Sequence, residues 1–66
     1  MDITVNGQRR TVPDGITAGG LIDSLDLSGK RLAMEVNGEI VPKSRHASHA
    51  LAPGDRVEIV HAVGGG

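Results

Sequence analysis

Apolar and polar side chains alternate along the first residues of the chain. Met1, Ile3 and Val5 lie on one face of a predicted strand, and Asn6-Gly7 follows directly. Both central residues of a type I′ turn need a positive φ, so Asn-Gly between alternating segments is a strong hairpin signal. Residues 8–12 are therefore predicted to form the return strand of a β-hairpin.

Arg10 is a charged residue on the predicted apolar face of this hairpin. A two-residue turn places Arg10 on the same face as Ile3, among apolar side chains. Either its aliphatic stem lies along the edge of the core with the guanidinium in water, or a β-bulge shifts the register of the strand. The sequence leaves both alternatives open.

Residues 16–26 have the pattern of an amphipathic helix. Thr17 is the predicted N-cap, because its hydroxyl can accept a hydrogen bond from a free N–H group of the first turn. Three apolar residues share one face and are predicted to form the buried stripe: Leu21, Ile22 and Leu25. Gly29 is predicted to end the helix near residues 27–28.

Three more strands are predicted after the helix. Residues 32–36 alternate, Asn37-Gly38 supplies a second tight turn, and residues 39–41 form the return strand. Residues 43–52 are a polar connector with one helical turn, and residues 56–63 form the final strand. One helix can cover only one face of the resulting sheet.

The final strand places apolar side chains on both of its faces. Val57 and Ile59 share one face, while Val60 and Ala62 lie on the other. Since the face opposite the helix stays open, Val60 and Ala62 are predicted to belong to a docking surface. The alternative interpretation is that they are ordinary exposed apolar residues.

The order of these elements predicts a two-layer α+β domain. A crossover helix after the first hairpin lets the last strand lie parallel beside the first, so the sheet of four to five strands is mixed. This is the ubiquitin-like β-grasp arrangement. We assign residues 1–63 to this domain and residues 64–66 to a flexible C-terminal glycine tail, because glycine has no side chain to pack.

Composition excludes several classes of protein. The 66 residues include seven basic and eight acidic ones, with no cysteine and no aromatic residue. Nucleic-acid binding is not expected without a basic stripe or stacking side chains, and disulfides and thiolate metal sites are impossible. No apolar run approaches the roughly 20 residues of a membrane helix, and a signal-peptide pattern is absent. A cytoplasmic protein is expected.

No pattern in the chain predicts catalysis. A nucleophile motif such as G-x-S-x-G is missing. His46 and His49 have a spacing that can bring two imidazoles together, but a metal site needs three or four ligands, so a structural or exposed role is favoured. Gly19-Gly20 lacks the remainder of a phosphate-binding motif and is also interpreted as structural. We expect a protein without enzyme activity, bound metal or bound cofactor.

The terminal glycines have two interpretations. Gly64, Gly65 and Gly66 are either a frayed end or cloning remnant, or a functional tail. A tail without side chains is thin enough to enter a narrow channel in another protein. A terminal glycine also offers a carboxylate that no β-carbon shields. Attached to a β-grasp domain of this size, the tail is interpreted as functional.

At this point the chain resembles the ThiS family, the sulfur carrier proteins of thiamine biosynthesis. The resemblance covers essentially all residues and rests on segments that occur in order and without insertions: residues 3–7 (ITVNG), 16–17 (IT) leading into 21–22 (LI), 36–42 (VNGEIVP), 53–60 (PGDRVEIV) and 61–66 (HAVGGG). One departure is Gly20, where many members of the family carry an acidic or amide residue that completes a capping box.

The resemblance implies a chemistry for Gly66. A ThiF-type adenylating enzyme would use ATP and Mg²⁺ to convert the Gly66 carboxylate into an acyl adenylate. Sulfur relayed from a cysteine desulfurase would displace AMP and leave a thiocarboxylate, which the thiazole synthase ThiG would use as sulfur donor. Gly65 and Gly64 would thread the tail into the active sites of these partners.

Three rival interpretations remain at this stage. The small subunit of molybdopterin synthase is a β-grasp carrier with the same thiocarboxylate chemistry, although it tends to be longer. A protein modifier would join Gly66 to lysines of target proteins. A plain ubiquitin-like binding module would carry an inert tail.

Overall fold

A computed structural model describes residues 1–61 of the protein. These residues form five strands, one α-helix and a short 3₁₀ helix. The elements are, in chain order, β1 (Asp2–Val5), β2 (Gln8–Thr11), α1 (Ala18–Ser24), β3 (Leu32–Val36), β4 (Glu39–Val41), the 3₁₀ helix (Lys43–Arg45) and β5 (Arg56–His61).

The five strands form one mixed sheet in the order β2-β1-β5-β3-β4. β5 lies in its centre, parallel to β1 and antiparallel to β3. The parallel pairing of the first and last strands confirms the predicted β-grasp arrangement. The predicted last strand extended to residue 63; residues 62 and 63 lie outside the described part of the chain, as do the glycines 64–66.

The first hairpin settles the position of Arg10. Ile3 pairs with Arg10 and Val5 with Gln8, which is the register of a two-residue turn without a bulge. Asn6 and Gly7 both have a positive φ, at 50° and 83°, as this turn requires. The bulge alternative is therefore wrong: Arg10 shares the face of Ile3 but stays exposed on the edge strand.

The helix begins as predicted but ends earlier. The Gly20 N–H donates to the Thr17 hydroxyl at 3.0 Å, which confirms the N-cap. At the other end α1 stops at Ser24, and Asp26 takes a φ of 63°. The Leu27 N–H then donates to the Ile22 carbonyl at 3.1 Å.

This hydrogen bond, with a second from Asp26 N–H to the Asp23 carbonyl, is the pattern of a Schellman C-cap. The prediction that Gly29 ends the helix is wrong, because Asp26 supplies the left-handed residue three positions earlier. Aspartate tolerates this conformation better than most residues. The early stop turns Leu27 back onto the core, against which it packs.

The core lies between α1 and one face of the sheet, which we call the covered face. Its most deeply buried large side chains come from three strands and the helix: Ile3, Met34, Val57 and Leu21. The predicted stripe is confirmed, with Leu21 and Ile22 buried and Leu25 packed against them. Fully burying each such aliphatic side chain stabilises the fold by about 1.5–3 kcal/mol.

Candidate functional site

The candidate site is the region around β5, the strand that precedes the glycine tail in the sequence. β5 is a central strand with neighbours on both sides: β1 pairs with its first two residues, and β3 pairs with it from Val57 as far as the pair Leu32–His61. Gly64, Gly65 and Gly66, predicted to form the reactive tail, lie outside the described residues. The same is true of Ala62.

Alternate residues of β5 point to opposite faces of the sheet. Val57 and Ile59 are 1% and 7% exposed under the helix, whereas Val60 is 56% exposed on the other side. We call this uncovered side the open face. The predicted position of Val60 is confirmed, while its role in docking remains a prediction.

The open face carries further apolar residues, one of them beside Val60. Ala33 is its direct partner on β3, and Ile40 on β4 is 64% exposed. Ile40 was missed in the sequence because it stands next to Val41, another apolar residue, and only one of two neighbours in a strand can face the helix. The register shows that Val41 is the buried one, which leaves Ile40 on the open face.

Two carboxylates lie in the middle of this face. Glu35 on β3 and Glu58 on β5 are direct cross-strand partners, and Ile40 is the neighbour of Glu35 on its other side. Like charges directly opposite each other in a sheet destabilise it. Arg56 lines the same part of the surface, which therefore combines exposed apolar side chains with charged ones of both signs.

A groove of about 340 Å³ opens on the helix side of the end of β5. Leu25 and Leu32 contribute apolar surface to it, and Arg10 and His61 contribute polar groups. His61 is exposed. The sequence carries no signal for this groove, because its lining residues come from separate elements that only the tertiary structure brings together.

The other candidate residues have structural roles. His46 Nε2 lies 3.0 Å from the Val41 carbonyl, which can only accept, so this nitrogen donates. The Ala18 and Gly19 N–H groups donate to the backbone carbonyls of His49 and His46, and the Gly20 N–H is taken by the N-cap. The free donors of the helix start are thus occupied from within the fold.

The described residues hold neither a cluster of metal ligands nor a membrane-spanning helix. Within residues 1–61, no group of three or more His, Cys, Asp or Glu residues is arranged to hold a metal ion. No helix in the same part of the chain has the length and apolar character needed to cross a membrane.

Comparison with known proteins gives a consistent family match. The model of the ThiS family matches residues 3–66. The sulfur carrier protein ThiS of Escherichia coli (strain K12) is 30% identical over 66 residues, and the match covers all of both chains. The crystal structure of the thiamine biosynthesis protein ThiS from Geobacter metallireducens superposes with a TM-score of 0.87 at 29% identity, again over the full length of both chains.

A longer relative is also similar. The thiazole synthase of Paramagnetospirillum magneticum is 39% identical over all 66 residues of the chain, which spans only 20% of the length of that enzyme. A thiazole synthase of Magnetococcus marinus matches over the same share of its length at 32% identity. In both, the similarity is to a segment about one fifth as long as the whole protein.

Proposed function

The protein belongs to the ThiS family, and from this we propose that it is a sulfur carrier protein of thiamine biosynthesis that acts through Gly66. The single observation that carries the proposal is the match to the E. coli sulfur carrier along both entire chains, with the family model extending to Gly66 itself. Two thiazole synthases among the similar proteins favour formation of the thiazole ring as the destination of the sulfur.

The proposed chemistry takes place on the Gly66 carboxylate. A carboxylate is a poor electrophile, so one of its oxygens first attacks the α-phosphorus of ATP, and pyrophosphate leaves. A ThiF-type adenylating enzyme with Mg²⁺ supplies this step. A persulfide relayed from a cysteine desulfurase then attacks the acyl carbon. The C–O bond to AMP breaks and a C–S bond forms, which gives an acyl disulfide. A thiol of the sulfur relay cleaves its S–S bond by thiol–disulfide exchange, so that Gly66 carries a thiocarboxylate and the relay is left as a disulfide.

The thiocarboxylate is then the sulfur donor for a thiazole synthase of the ThiG type. Gly64 and Gly65 serve as the segment that enters the active sites of both partners. On this proposal the chain is a recyclable co-substrate and not an enzyme. It holds no cofactor of its own, and it works in the cytoplasm.

The open face is the proposed docking surface of the body. Val60 is strongly exposed beside Ala33, and Ile40 adds a second exposed aliphatic side chain on the next strand but one. Ala62 continues the alternation of β5 in the sequence and is proposed to extend this surface towards the tail. A partner that covers these residues would bury apolar area that the domain itself leaves in water.

The intact mass of the protein from thiamine-limited cells tests the proposal. We expect a population heavier by one oxygen-to-sulfur exchange, with the added mass in the fragment that contains Gly66. The same spectrum shows whether Gly66 is the last residue of the protein in the cell. A variant without Gly65 and Gly66 is the control and should show no such exchange.

Two outcomes would redirect the assignment. If only the free acid forms when ATP, an activating enzyme and a sulfur source are supplied, the binding module with an inert tail is the better interpretation. If loss of the protein abolishes molybdoenzyme activity and leaves growth without thiamine intact, the carrier serves molybdopterin synthesis instead.

A further inference from the structure

The end of β5 has a strand neighbour on one side only. β3 pairs with β5 as far as His61, but β1 pairs with it only through Thr4–Arg56 and Val5–Val57, because the chain turns away at Asn6. Beyond Val57, the strand that leads to the tail therefore has no β1 residue beside it. The backbone groups of Ile59 on this side need another partner.

The side chain of Asn6 supplies that partner. Its Nδ2 donates to the Ile59 carbonyl at 3.0 Å, and the Ile59 N–H donates to its Oδ1 at 2.8 Å. The Asn6 backbone N–H donates to the Val57 carbonyl at 2.9 Å, one step earlier along the same strand. A primary amide carries a donor and an acceptor like a peptide group, so Asn6 extends the parallel ladder by one more step.

The turn alone does not require asparagine at position 6. Asn6 has a φ of 50°, a conformation that glycine and aspartate also adopt in such turns. Neither of them can donate one hydrogen bond and accept another across to β5. Asparagine at position 6 therefore allows a contact with Ile59, which lies 53 residues away in the sequence and near the end of β5.

We propose that Asn6 is a positioning residue for the reactive tail. It holds the end of β5 against the β1 side of the sheet and so sets the direction in which the chain leaves the domain towards Gly66. This inference rests on the proposed function. In sulfur loading, the Gly66 carboxylate must reach the α-phosphorus of ATP in the partner, and displacements of about 1 Å can cost on the order of 100-fold in rate.

The second Asn-Gly turn provides a matched control within the same chain. Asn37 has a φ of 54° and is also followed by a glycine of positive φ. Its Oδ1 accepts the Arg56 N–H at 2.9 Å, and its Nδ2 donates to the Asp55 carboxylate at 3.0 Å. Its contact to the backbone of β5 thus lies at the start of the strand, at the end away from the tail.

The experiment compares Asn6→Gly with Asn37→Gly. Glycine keeps the positive φ of each turn and removes both side-chain hydrogen bonds. Both variants should lose thermal stability, Asn6→Gly more than Asn37→Gly, because the hydrogen bonds of Asn6 are part-buried and those of Asn37 are exposed. Activation by the adenylating partner is followed as pyrophosphate release, at a temperature at which circular dichroism shows both variants to be folded. We expect kcat to fall roughly tenfold or more for Asn6→Gly and less than about twofold for Asn37→Gly.

The KM of the carrier should change little in either variant, because neither substitution alters Val60 or Ile40 on the open face. Hydrogen exchange gives a readout that does not depend on the enzyme: amides at residues 59–61 should exchange faster in Asn6→Gly than in Asn37→Gly. If Asn6→Gly does not fold, Asn6→Asp is used, with Asn37→Asp as its control. The carboxylate keeps an acceptor for the Ile59 N–H but sets an oxygen against the Ile59 carbonyl, so kcat should still fall more than in the control.

Equal kcat values for the two variants would overturn the inference, since Asn6 would then only stabilise the fold. A rise in KM without a fall in kcat would do the same, because it would place Asn6 in docking. An unmodified protein that the partner does not adenylate at all would instead remove the proposed function, and with it this role of Asn6.

Discussion

The two faces of the sheet are built from neighbouring residues of the same strands, yet they differ in almost every physical respect. Under the helix, Met34 and Val57 are 0% and 1% exposed. On the open face, Val60 and Ile40 are 56% and 64% exposed, and two glutamates oppose each other between them. One face resembles the interior of a larger protein, and the other resembles an interface without its partner.

The difference shows how a 66-residue chain keeps its buried core and its exposed apolar side chains on separate faces of one sheet. A strand directs successive side chains to opposite faces, so Ile59 is buried and Val60 is exposed although they are adjacent. Burial stabilises the fold only on the covered face, because apolar area on the open face stays in water until a partner removes it. Substitutions on the two faces should therefore affect different measurements.

The largest effect is expected for Met34→Ala on the covered face. Removing a fully buried methionine side chain leaves a cavity and should lower the free energy of unfolding by about 2–5 kcal/mol. For a domain of this size that loss is a large part of the total stability. Urea unfolding followed by circular dichroism measures it.

Ala33→Ser is the control for this prediction, since Ala33 is the preceding residue of the same strand on the open face. It should change the free energy of unfolding by less than about 0.5 kcal/mol. A loss for Ala33→Ser as large as that for Met34→Ala would mean that the open face also contributes to folding, and the contrast between the faces would fail.

A smaller effect, in another measurement, is expected for Val60→Ser. Its free energy of unfolding should stay within about 0.5 kcal/mol of the unmodified protein, because Val60 is mostly exposed. Its KM with the activating partner should rise about tenfold. This corresponds to a loss of about 1.4 kcal/mol of binding free energy, as expected for a side chain near the centre of an interface.

Arg9→Ser is the matched control for Val60→Ser. Arg9 pairs with Thr4 and lies on the open face, but two strands away from β5 and outside the apolar residues. We expect its KM to be unchanged. Should both variants raise KM equally, docking would depend on the whole face or its charge and not on the apolar residues near the tail.

The smallest effect on the free energy of unfolding is expected for Arg10→Ala, because Arg10 belongs to the covered side by its direction and to the exposed residues by its accessibility. Arg10 points to the covered side of the sheet but is exposed on the edge strand β2. The free energy of unfolding should therefore change by less than about 0.5 kcal/mol. A loss close to that of Met34→Ala, measured by the same urea unfolding, would extend the covered face to β2.

Local sequence signals predicted most of the elements. Both Asn-Gly turns form with positive φ at both residues, the strands β3 and β4 have the predicted bounds, and Thr17 caps the helix. Each of these depends on residues within a few positions of one another. Turn chemistry, capping and alternation are properties of short segments and can be recognised without knowing the fold.

The errors and omissions have a common cause. The helix ends at an Asp26 cap and not near Gly29, since Leu27 returns to pack on the core. Ile40 is exposed because the pairing of β4 with β3 buries its neighbour Val41. In both cases a contact with a distant residue chose between alternatives that were locally similar.

The sequence by itself determined the class of fold, the two tight turns, the alternation of β5 and the likeness to a family of sulfur carriers. The tertiary structure decided the register that exposes Arg10 and Ile40, the end of the helix, and the contact of Asn6 with Ile59. The physical reason is the sequence separation over which the two kinds of interaction act. Backbone preferences act over a few residues, whereas hydrogen bonds such as Asn6–Ile59 join positions 53 residues apart and exist only when the whole sheet is assembled.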